Sequence, residues 1–75
     1  MATVTMNERT LQIGEAAGLV WHALSENGPL SPAKLCKMVD APRDTIMQAV
    51  GWLAREDKVD FEETPRGRVL VLRPE

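Results

Sequence analysis

A change of hydrophobic period near Lys58 constrains this chain more than any other feature. Before it, apolar residues recur at the three- and four-residue spacings of amphipathic helices. After it, Val59 and Phe61 alternate with Asp60 and Glu62, as on a half-buried strand. A chain of 75 residues has room for one domain and one core. Its helices must therefore pack on its own strands.

Three helical stripes precede the change. The first begins near Leu11, behind a lead of residues 1–9, and carries Ile13, Ala17, Val20, Trp21 and Leu24. Asn27-Gly28-Pro29 ends it in the usual order of glycine, then proline. Ser31 then reads as an N-cap, with Pro32 at the first helical position, where a missing N–H costs nothing. Leu35, Met38 and Val39 form the expected buried side of this short second helix, with Cys36 beside them. Pro42 disfavours helical geometry at Ala41 and opens the third helix. There Ile46, Ala49, Val50 and Leu53 form the core stripe, Ala54 borders it, and the helix fades near Glu56-Asp57.

Thr64-Pro65-Arg66-Gly67 is a turn signal between two strands, the second centred on residues 69–72. The resulting hairpin has a loop of four to five residues and must pack on the helices to be stable. Three helices followed by a hairpin is the order of an α+β winged helix-turn-helix domain, here spanning residues 10–75. Pro29-Leu30-Ser31 is a candidate short strand between the first two helices, set against the hairpin.

Two stretches carry a family resemblance. They are Ile13-Gly14-x-x-Ala17-Gly18-x-x-Trp21-x-x-Leu24 and Ala49-x-Gly51-Trp52-Leu53-Ala54-Arg55-Glu56-Asp57-Lys58. Together they resemble a small bacterial and archaeal family of stand-alone winged helix-turn-helix proteins, catalogued as a domain of unknown function. The resemblance implies the fold and no established activity.

Composition limits the functional classes. The apolar fraction is 44%, the charged fraction 27% and the net charge −2. A domain held on nucleic acid mainly by charge is usually basic. Residues 31–58 hold five basic and four acidic side chains, and residues 59–75 three and four. Arg43, Arg66 and Arg68, each neutralising one phosphate, would give a salt slope of only about −3.

The outward side of the third helix presents Arg43, Asp44, Met47, Gln48, Gly51, Trp52 and Arg55. Arg43 suits guanine and Gln48 suits adenine. Arg66 and Arg68 at the hairpin tip suit phosphate backbone or minor groove, or simply a soluble turn. Glu62 and Glu63 beside them repel phosphate. Met47, Gly51 and Trp52 fit a protein interface better than a groove. Burying an indole is worth on the order of 4–6 kcal/mol, so a cover for Trp52 is expected. Phe61 or Val59 of the wing, the N-terminal lead, a partner or a second copy could each supply it.

Gly14 and Gly18 cost the first helix roughly 1–2 kcal/mol together relative to alanine. That implies close backbone approach, either by the third helix or sheet, or by a second chain. One histidine, His22, and one cysteine, Cys36, supply no metal set and no disulfide. Cys36 reads as a small core hydrophobe, and the acidic pairs read as solvated surface. No cofactor, small-molecule substrate or enzyme constellation is apparent. Without an apolar leader or spanning segment, the chain reads as cytoplasmic. Two readings follow. One is a DNA-binding, transcription-regulator-like module. The other is a protein-interaction or homodimerising winged helix.

Overall fold

The structure is a computed structural model that describes residues 8–73. α1 (Glu8–Asn27), α2 (Pro32–Met38) and α3 (Arg43–Arg55) precede β1 (Val59–Thr64) and β2 (Gly67–Leu72). Helical geometry already holds at Glu8 and Arg9, so the helix starts before Leu11. The rest of the expected lead, residues 1–7, lies outside the described residues.

Each junction has a local cause. Gly28 at φ 78° closes α1, and its N–H donates to Leu24 O at 2.9 Å. The Ser31 hydroxyl accepts from Lys34 N at 3.1 Å, with Pro32 at the start of α2. The Asp44 carboxylate accepts from Thr45 N at 2.8 Å in the first turn of α3, where negative charge also suits the helix dipole. At the far end, Lys58 N donates to Leu53 O and Asp57 N to Ala54 O, at 2.9 and 3.1 Å. Asp57 is left-handed, at φ 60°. This is a Schellman closure with an aspartate where glycine is usual.

The hairpin is antiparallel, in register from Val59↔Leu72 to Thr64↔Gly67, so only Pro65 and Arg66 form its loop. That is tighter than the expected four to five residues. The Thr64 hydroxyl donates to Gly67 O and accepts from Arg66 N. Gly67 takes φ 127°, open only to glycine. The candidate short strand is a single bridge: Leu30 and Leu70 exchange both backbone hydrogen bonds, at 3.1 and 2.8 Å.

Leu70 is thus the centre of a three-ply sheet edge and is fully buried. The core beneath it is built from Val20, Leu24, Leu35, Ile46, Ala49, Val50 and Leu53, with α1 packed chiefly on α3.

Three apolar assignments are corrected. Trp21 is 38% exposed, because it lies one residue, about 100°, beyond Val20 and off the buried stripe. Met38 is 45% exposed. Helix α2 stops there, and Val39, in extended geometry, enters the core instead. Phe61 is 48% exposed although it faces Leu70 across the hairpin. Leu70 takes the helix contacts between Leu30 and Phe61, which leaves Phe61 on the outer strand, beyond the helices.

Candidate nucleic-acid interface

The α3 stripe turns Arg43, Asp44, Met47, Gln48, Gly51, Trp52 and Arg55 outward, and all seven are exposed. At about 100° per residue, Gly51 lies near the middle of this face. Met47 and Trp52 sit about 140° apart on its two flanks. A base-reading surface and a Met47/Gly51/Trp52 interface therefore occupy the same side of the helix.

Charge is distributed unevenly over the surface. Arg43, Arg55 and Arg66 form no ion pair among the described residues. Asp44 is partly neutralised by Arg9 of α1, Nη1 to Oδ2 3.9 Å. Arg68 instead donates to Glu63, Nε to Oε2 3.0 Å, and so shares its charge with its own strand partner. Arg73 sits 3.6 Å from Asp60 and 3.7 Å from Asp57. Of the two tip arginines named from sequence, Arg66 is available and Arg68 is engaged.

Trp52 is 54% exposed. The expected cover from the wing is absent: Val59 is buried in the core and Phe61 is itself exposed. The N-terminal lead falls outside the described residues. What lies beside the indole is α1. Trp52, Thr10, Ile13 and Gly14 line an almost wholly apolar cleft of about 250 Å³. Periodicity could not show this cleft, since it depends on how α1 crosses α3.

The expected close packing at Gly14 and Gly18 within the chain is also corrected. A Cβ built at either position meets nothing within 4 Å. Both glycines are exposed. His22 meets Trp21 edge-on, with ring centroids 5.7 Å apart, and Cys36 is half-buried with a free thiol. Among the described residues no three His, Cys, Asp or Glu side chains are grouped to hold a metal ion. No described helix is long and apolar enough to cross a membrane.

Comparison with known proteins agrees with this architecture. The family model for a winged helix-turn-helix domain, DUF2582, matches residues 6–72. The uncharacterised protein MJ1608 of Methanocaldococcus jannaschii is 34% identical over 65 residues, 83% of this chain and 91% of the relative. The solution NMR structure of protein BT2368 from Bacteroides thetaiotaomicron is 37% identical, with a TM-score of 0.73 over 83% of this chain and 76% of that one. A mutant of the type III plasmid segregation protein TubR superposes with a TM-score of 0.67 at 22% identity, over 96% of this chain and 83% of that one. That last likeness is one of fold.

Proposed function

The chain belongs to the DUF2582 family of winged helix-turn-helix domains, and on that premise we propose that it is a non-enzymatic, cytoplasmic, transcription-regulator-like module that docks on duplex DNA. Helix α3 enters the major groove, with Arg43 on guanine and Gln48 on adenine. Arg66 contacts the phosphate backbone, and Arg68 joins it once Glu63 releases it. The observation that carries this reading is the set of unpaired arginines along α3 and at the wing tip, Arg43, Arg55 and Arg66, on a chain whose other described arginines are all paired with acids.

Fluorescence anisotropy with random duplex across a salt series tests it. The expected slope of log K against log salt is about −2 for a monomer while Glu63 holds Arg68 and about −3 once Arg68 joins, and twice that for a dimer. Arg66→Ala reduces the slope by about one and weakens all sequences alike. Arg43→Ala lowers discrimination at one base pair by about 1–3 kcal/mol. No binding to duplex at low salt and high protein concentration would end this reading.

The second reading, a protein interface through Met47, Gly51 and Trp52, rests on the uncovered Trp52 indole. On that reading Trp52→Ala alters partner capture or oligomeric state, and duplex binding is absent.

A further inference from the structure

We propose that the exposed face of α1 is a self-association surface, on which two copies of this chain pack α1 against α1 in antiparallel register about a two-fold axis near Ala16. The inference does not rest on DNA binding.

Leu11 and Trp21 are 52% and 38% exposed, and Gly14 between them shares a cleft with Trp52 of α3. At helical spacing Thr10, Leu11, Gly14, Gly18, Trp21 and Ser25 share one side of α1, and none of them is charged. Ala16 points the opposite way and is buried in the core. An uncharged, tryptophan-bearing strip fits neither phosphate nor an acidic or basic partner. It fits an apolar surface like itself.

The order of side chains says which surface. Closed two-fold contacts need a patch that is its own complement. Positions 11, 14, 18 and 21 read large, small, small, large, and they are symmetric about position 16. Rotation by a half turn about that point sets Leu11 of one copy against Trp21 of the other and brings Gly14 opposite Gly18. The large side chains then flank a crossing at which the two backbones come close. Within one copy nothing occupies the space over either glycine. The cleft formed by Thr10, Ile13, Gly14 and Trp52 is open at the same edge and receives the partner's apolar side chains.

The size of the patch sets the strength. Each copy offers on the order of 200 Å² of exposed indole, plus Leu11 and glycine backbone. Two copies together then bury on the order of 600 Å², below the roughly 1,000 Å² of a stable interface, so the dimer is weak and transient.

Sedimentation of the full chain without DNA, across a concentration series, reads the equilibrium. Wild type is expected to be a reversible dimer. Gly14→Leu and Trp21→Ala each raise the dissociation constant by about tenfold or more. A Cβ at position 14 meets no atom within the chain, and the rest of a leucine has the apolar cleft beside Trp52 to enter, so the melting temperature of Gly14→Leu at dilute concentration is expected to hold or rise. Leu11→Glu supplies an independent variant that acts through charge. In a Cys36→Ser background, mixed Leu11→Cys and Trp21→Cys chains are expected to cross-link to each other faster than either does to itself. A wild type that stays monomeric at several hundred micromolar overturns the proposal. So does a dimer indifferent to the variants at Leu11, Gly14 and Trp21, or preferential 11-to-11 cross-linking.

Discussion

The hairpin and the helical half treat their exposed surfaces differently. On the hairpin, charge is matched locally: Arg68 with Glu63 across the strands, and Arg73 with Asp60 and Asp57. On the helices, Arg43 and Arg55 have no acid partner among the described residues. Leu11, Leu19, Trp21, Met47 and Trp52 stand open to solvent there as well. A surface whose charges are mutually satisfied has little left to offer a ligand. On the proposed reading, that contrast favours contacts through α1 and α3, with Arg66 and the exposed Phe61 left on the wing.

Detaching the wing from the helices is expected to have the largest effect. Leu70 is fully buried, pairs with Leu30 on one side and Phe61 on the other, and links sheet to helices. Leu70→Ala removes that link, and a loss of about 2–5 kcal/mol is expected, much of the stability of a domain this small. Thermal or urea unfolding measures it. A loss below about 1 kcal/mol would mean that the hairpin is not anchored through this residue.

How much of this was legible in the sequence varied with how local each cause is. The α3 stripe of Ile46, Ala49, Val50 and Leu53 was readable because one helix period decides it. The Ser31 cap was readable because its hydroxyl reaches an amide three residues away. The Pro29-Leu30-Ser31 segment signals a strand beside the hairpin, but its reduction to the single Leu30–Leu70 bridge depends on tertiary approach. Trp21, Met38 and Phe61 are not legible in this way: Trp21 lies at the very edge of its stripe, α2 ends at Met38, and Phe61 falls on the outer strand, and none of these limits is marked by an alternation of apolar residues. The left-handed Asp57 carried no signal, since its Schellman closure normally announces itself with glycine. At the candidate site, the outward residues of α3 were readable. The pairing of Arg68 with Glu63 and the cleft between Trp52 and α1 were not, because both arise from tertiary approach.

A middle-sized effect is expected on the helical side. Gly51 lies in the interior of α3, exposed, with open space where a Cβ would sit. Gly51→Ala should raise stability by about 0.5–1 kcal/mol through helix propensity alone. Duplex affinity of the same variant tells whether a ligand comes close to α3 here. A stabilised variant with unchanged affinity leaves room in the groove contact at this point. A stabilised variant that loses affinity identifies Gly51 as a position of close approach by the ligand. Unchanged stability would show that the glycine costs α3 nothing.

The smallest effect tests the wing's matched charges directly. Arg68 and Glu63 are side by side but well exposed, at 60% and 72%. An exposed pair of this kind contributes about 0.2–1 kcal/mol, so Glu63→Gln should lower stability by no more than that. The same substitution removes an acid beside the tip and frees Arg68 to join Arg66. If the wing is held back only by its own pairing, duplex affinity should rise, and the salt slope should steepen by about one. If the slope stays where it was, the wing makes no second phosphate contact, and Arg66 at its tip is its whole contribution beside the unpaired arginines of α3.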